Sequence, residues 1–192
     1  MGRKAHYINH VSDRDIEAFR ILFNCQHVPR DLLRISDNRL ESYRKEGIIT
    51  VCRTLENNQP VIKFTDKGYS YIKKLDDFKG RVPYKSTTAA QHNMKLAEIY
   101  SKLSREDQLN WKTEKELNLY YNERMEYLRE HEHDRYEELR DLKVSTADGG
   151  VVVSGQVTML YEIVTGSYGQ AELEAHEAYA EVLDTQITME RA

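Results

Sequence analysis

Apolar residues recur every three or four positions through the first third of the chain and then give way to β-branched runs. Ile16, Phe19, Leu22 and Phe23 form one helical stripe, opened by Ser12 with Asp15 three residues on, a capping-box-like start. Val28-Pro29 predicts the start of a second short helix, because proline is comfortable in a first helical turn, and Leu32, Leu33 and Ile35 share its inner side. Ser36 to Gly47 predicts a third. Ser36 suits an N-cap and Gly47 the left-handed position beyond the C-terminus. With Leu40 and Tyr43 inward, Asn38, Ser42 and Lys45 lie on the opposite side and Arg39 on the flank. Ile48 to Arg53 reads as a strand, Glu56 to Pro60 as a turn and Val61 to Phe64 as a returning strand. Thr65 caps a closing helix with Tyr69, Ile72 and Leu75 inward.

Asp76 to Thr88 carries Gly80 and Pro83 and has neither periodicity, so residues 77–87 are expected to link two domains, 1–76 and 88–192. A helix is predicted from Thr88 to Leu103, a strand over Gln108–Thr113, and a long charged helix or helix pair from Lys115 to Leu142. Val144 to Val153 should turn at Asp148-Gly149-Gly150 before a β-branched run. Gln156–Thr165 and Thr185–Met189 read as strands, and Gly169–Leu183 as a helix. The fold class expected is α+β: an N-terminal winged helix-turn-helix, then a small α/β domain.

Charge sharpens this division. Residues 1–85 hold 17 Lys and Arg against 11 Asp and Glu, a net +6, whereas residues 86–192 hold 11 against 21, a net -10. The basic part attracts phosphate, and the acidic part suits dimerisation or a protein partner. No stretch approaches the ~18 apolar residues of a membrane span, and the first ten residues have no secretory pattern, so no membrane partner is expected. Cys25 and Cys52 without a CxxC suit a reducing cytoplasm.

Three helices, a hairpin and a closing helix are the element order of a winged helix. RLESYRKEGII followed by FTDKGYSYI resembles the superfamily's recognition helix, glycine, strand, wing and L-T-x-x-G signature, with Phe64 in place of leucine, over Ser12 to Leu75. In that reading Asn38 and Arg39 reach base edges, Asn toward adenine and Arg toward guanine. Ser42, Arg44 and Lys45 contact phosphates. The wing adds Arg53, Asn57, Asn58 and Lys63, and an N-terminal arm adds Arg3 and Lys4. Glu41 and Glu46 oppose phosphate binding.

The chain as a whole resembles the replication-relaxation family of plasmid and phage proteins. His92, Trp111-Lys112-Thr113-Glu114, Ala147-Asp148-Gly149, Tyr161-Glu162-Ile163-Val164-Thr165 and Gly169-Gln170-Ala171-Glu172 carry the likeness. It implies a second domain like the restriction endonucleases. There Asp148 and Glu162 are the candidate acids for holding Mg²⁺. The lysine usual two positions after the second acid is replaced by Val164, so the set is degenerate unless Lys112 or His176 is brought close. His131-Glu132-His133 lies in a helical context, which suits a solvated face better than a relaxase or zinc site. Glycine-rich phosphate loops, GxSxG, HExxH and calcium loops are missing from the sequence, so no cofactor is called for.

The expectation is therefore a cytoplasmic, non-catalytic, site-specific binder of double-stranded DNA. It would act as a homodimer to regulate transcription or replication in a plasmid, phage or other mobile element. The alternatives are a metal-dependent nuclease targeted by the winged helix, and an interaction protein acting on a host factor.

Overall fold

Ser12 caps the first helix as its chemistry allows. Its hydroxyl accepts the Asp15 amide, and the Asp15 carboxylate accepts the Ser12 amide at 2.8 Å. The computed structural model describes residues 7–54, 58–86 and 90–192, and the chain divides into two compact units, Met1–Ser101 and Lys102–Ala192. Among the described residues are eight helices and two sheets, a mixed α+β architecture.

In the first unit, α1 (Asp13–Cys25) buries Phe19, Leu22 and Phe23. Val28-Pro29 does not open a helix. It forms a short strand, β1, with Pro29 at φ -56° and ψ 145° and Val28 paired with Ile62, and a single 3₁₀ turn follows at Arg30–Leu33. Proline's fixed φ serves an extended residue as well as a helical one, and the sheet edge decides between them. Next comes α2 (Asp37–Lys45), capped by Ser36 and ended by Gly47 at φ +69°. Strands β2 (Ile49–Arg53) and β3 (Pro60–Phe64) pair antiparallel, giving a sheet of order β1-β3-β2. Thr65 caps α3 (Asp66–Ile72) by accepting the Gly68 amide at 3.0 Å. Gly68 is required because a β-carbon there would overlap the Ile48 carbonyl, which accepts the Thr65 amide.

Of the segment expected as a linker, residues 77–86 are packed instead, and residue 87 lies outside the described residues. A 3₁₀ turn at Asp76–Phe78 seats Phe78 against Phe23 with ring centroids 5.2 Å apart. Buried Tyr84 donates its amide to the Phe23 carbonyl at 3.0 Å. After it, α4 (Ala90–Lys102) buries Leu96, Ala97 and Tyr100. Two aromatic anchors spaced irregularly produce no period, which is why the segment reads as a linker in sequence.

The second unit opens with α5 (Arg105–Asn110), so residues 108–110 are helical rather than extended, and Ser104 caps them by accepting the Asp107 amide. Strand β4 (Trp111–Thr113) follows. The charged stretch is a helix pair, α6 (Glu114–His131) and α7 (His133–Leu139), broken at Glu132. Then come β5 (Gly149–Val153), β6 (Gln156–Val164), α8 (Gln170–Val182) and β7 (Ile187–Arg191). The sheet order is β4-β5-β6-β7. The first two pairings are antiparallel and the last is parallel, with α8 as its crossover. Gly149 and Gly150 lie in the strand rather than at a turn. The indole of Trp111 occupies the space a Gly149 β-carbon would need, and Trp111 itself is fully buried and stacked on Tyr161. Leu117, Val152, Leu160, Tyr179 and Ala180 pack as the core between α6, α8 and the sheet. Among the described residues no helix is long and apolar enough to cross a membrane.

Candidate functional site

Helix α2 is tied to α1 by an ion pair whose carboxylate is buried, beside the buried Tyr43 ring on Phe19. Arg39 donates through Nε to Asp15 Oδ1 at 2.9 Å and through Nη2 to Oδ2 at 2.8 Å, while Ser12 supplies two further donors to Oδ2. Burial opposes the Asp15 charge, but Arg39 and Ser12 outweigh it and hold the carboxyl below its ordinary range. Arg39 also donates to the Tyr43 hydroxyl at 3.0 Å and to the His10 carbonyl, and stacks over the Tyr43 ring. Its guanidinium, expected at a guanine edge, is therefore turned inward, because the α1 carboxylate is the stronger partner available to a flanking position.

The outer side of α2 holds the other expected residues. Asn38, Arg44 and Lys45 are exposed. Ser42 donates to the Asn38 carbonyl at 2.9 Å, a bond back along the helix that leaves the hydroxyl's lone pairs outward. Arg44 is bidentate to Glu41 at 2.6 and 2.8 Å. Lys45 Nζ lies 5.4 Å from the Tyr7 ring centroid and 4.0 Å from Glu41. Glu46 accepts the Tyr7 amide at 2.8 Å and a long contact from Lys67 at 3.8 Å. Both glutamates that opposed phosphate are thus engaged with protein donors. On the hairpin, exposed Arg53 donates to the Asn58 carbonyl at 3.0 Å, and Asn58 takes φ +54°. Lys63 is half-buried, and its charge adds to burial in lowering the pKa of His27. Arg3, Lys4 and Asn57 lie outside the described residues.

The second unit brings its two candidate acids together. Asp148, just before β5, accepts the Ile163 amide at 2.9 Å, and Glu162 on β6 accepts the Asp148 amide at 3.1 Å. Both are buried. Glu162 Oε1 also accepts the Tyr168 hydroxyl at 2.8 Å, and His176 Nε2 of α8 lies 3.4 Å from it. Tyr168 stacks on His176, with rings 7° from parallel. Burial and then Glu162 push the Tyr168 phenol well up. Burial lowers the His176 pKa, opposed by the Asp148 charge and by the Ser145 backbone; the Nδ1 atom nonetheless makes no hydrogen bond of regular geometry. Lys112 pairs with Gly150 in β4 and by alternation shares the sheet face of Asp148 and Glu162. Val164, where a lysine would complete the acids, is buried. Tyr168 is a member of this cluster that the sequence does not announce, since it sits in the turn after β6 with no spacing to mark it. His131 and His133 are exposed at the α6–α7 break, with His131 Nδ1 3.1 Å from the Tyr127 carbonyl.

Compared with protein-family models, with curated proteins and with solved structures, the chain finds no match.

Proposed function

We propose that the chain is a site-specific double-stranded-DNA-binding regulator of transcription or replication in a mobile element, with no catalytic step of its own. The observation that carries this reading is the outer face of α2. It presents Asn38, Ser42 and Lys45 beside a β2–β3 hairpin bearing exposed Arg53. The order helix, strand, short turn, helix, hairpin, with β1 added to the hairpin's returning strand, follows the element order expected of a winged helix-turn-helix and supports the reading that α2 enters a major groove. The acidic second unit then serves to pair two copies, or to receive a protein partner. A fluorescence-anisotropy titration against DNA flanking the gene tests the proposal. Sequence-dependent binding that weakens steeply with salt is expected, and equal affinity for unrelated duplexes at modest salt would sink it.

One observation favours a second reading, metal-assisted phosphodiester cleavage: Asp148 and Glu162 meet on one sheet face with His176 beside them. The αβααββαβ order and its single parallel pairing are compatible with a restriction-endonuclease-like unit. Two carboxylates and an imidazole form a donor set that a divalent cation accepts, and such an ion supplies charge to polarise a phosphate. This chain's part would be to hold those acids oriented through Ile163, Asp148 and Tyr168. Supercoiled plasmid incubated with Mg²⁺ or Mn²⁺ decides between the readings: nicking that an Asp148→Ala variant abolishes selects the nuclease.

A further inference from the structure

Where α1 and α2 begin, a cleft of about 290 Å³ opens in the first unit, lined among others by His10, Arg14, Asp15, Arg34, Ser36 and Arg39. Three arginines face it against one carboxylate, and that carboxylate is already neutralised by Arg39 and saturated by Ser12. Arg14 and Arg34 are exposed and have no ion-pair partner among the described residues, so the cleft carries uncompensated positive charge. Arg34 takes φ +30° and ψ 24°, a left-handed conformation that glycine and asparagine adopt more readily.

We infer that this cleft is a phosphate-ester site, with Arg14 and Arg34 as its cationic jaws and His10 at its rim. Planar guanidinium groups bind a tetrahedral oxyanion in bidentate fashion, and a cleft of this size accepts the phosphate with part of an attached sugar. The phosphate has two sources, the backbone of DNA held by α2, which rests on the reading above, or a small free phosphate ester, which does not.

The full chain is compared with Arg14→Gln, Arg34→Gln and the double variant, in two arms. In the first, DNA affinity is measured across salt concentrations. A backbone phosphate in the cleft predicts a roughly three- to tenfold loss for each single variant and a salt slope smaller by about one. In the second, inorganic phosphate is titrated while the amide signals of Ser12 to Arg14 and of Ser36 are followed. A saturable shift that the double variant abolishes, with DNA binding unchanged, assigns the cleft to a free ligand. Absence of both the affinity change and the saturable shift overturns the site. If the wild-type chain binds no DNA, the phosphate arm alone decides: a saturable shift upholds the site while the DNA reading falls, and no shift overturns both.

Discussion

Replacing Arg39 with methionine should uncouple α2 from α1 and leave a buried carboxylate behind. Asp15 has a side chain 2% exposed, and Arg39 provides its countercharge and two of its four donors. Removing one partner of a buried pair typically costs about 3–5 kcal/mol, because the remaining charge is stranded. Here Ser12 keeps two donors on Asp15, and Arg39 is 22% exposed, so the lower end, about 3 kcal/mol, is expected. Asp15→Asn combined with Arg39→Met should recover part of that loss, since no charge is then buried.

The pH dependence gives a second handle. In the wild type the Asp15 pKa is lowered on folding, so the pair's contribution is complete above the unfolded-state pKa and is lost as pH falls through the folded one. In Arg39→Met only Ser12 still opposes burial, so the pKa rises from its wild-type folded position. The penalty is then full at neutral pH and is relieved as pH falls through that raised value. Urea unfolding followed on amide signals of the first unit measures this separately from Trp111 fluorescence, which reports the second unit. A deficit below about 0.5 kcal/mol, the scale of a surface pair, or one unchanged between pH 7 and pH 4, would refute the assignment of the ion pair as the clasp of α2.

Gly68→Ala should destabilise the first unit by about 1–3 kcal/mol, read by the same urea titration, because the new methyl meets the Ile48 carbonyl rather than a movable side chain. The pKa of His27 is lowered by burial and by Lys63, so its contribution is complete above the unfolded value near 6.5 and falls away as pH drops below it. His27→Gln should flatten the stability profile there by up to ~1.4 kcal/mol per pH unit, measured as urea midpoints. On DNA, Asn38→Ala should lower discrimination between target and mismatched duplex by about 1–3 kcal/mol, whereas Lys45→Ala should weaken all duplexes alike. Anisotropy on paired oligonucleotides separates the two.

How much of this is visible in the sequence depends on whether each feature is periodic. Ser12, Ser36, Thr65 and Gly47 act through bonds to residues three or four away, so caps and helix ends read directly from the chain and the structure places them within two residues. The capping-box aspartate shows the limit of that logic. Asp15 is legible as a partner of Ser12, but its second partner is 24 residues on, and nothing local says that Arg39 turns to meet it. Likewise Gly149-Gly150 reads as a turn because glycine usually marks one. The indole that makes a strand of it arrives from Trp111, on another strand. Asp148 and Glu162 are findable as acids on adjacent strands. The parts contributed by Tyr168 and His176 depend on the crossover of α8 over the sheet, which no spacing encodes.

Pairing of cations with nearby acids bears on the DNA reading. Arg39, Arg44, Arg30 and Arg20 each have a carboxylate partner, in Asp15, Glu41, Asp37 and Asp77, so the 17 Lys and Arg of residues 1–85 overstate the cations offered to phosphate. Among the described residues, the outward-facing cations lining α2, the hairpin and the cleft that have at most a weak acidic contact include Lys45, Arg53, Arg14 and Arg34. Four phosphate contacts correspond to a salt slope of about -3.6, and so to a loss of about 150-fold between 50 and 200 mM salt. Such a surface is too weak to hold one site against a genome of competing sequence, whereas two copies double the exponent and read two half-sites roughly 34–36 Å apart. The DNA reading therefore requires pairing, and the acidic second unit, repelled by DNA, is the part free to supply it. Sedimentation of the full chain with its duplex should give two chains per site and a slope near -7, about 0.9 for each of some eight contacts. A single chain bound with nanomolar affinity at 200 mM salt would contradict this account of the interface.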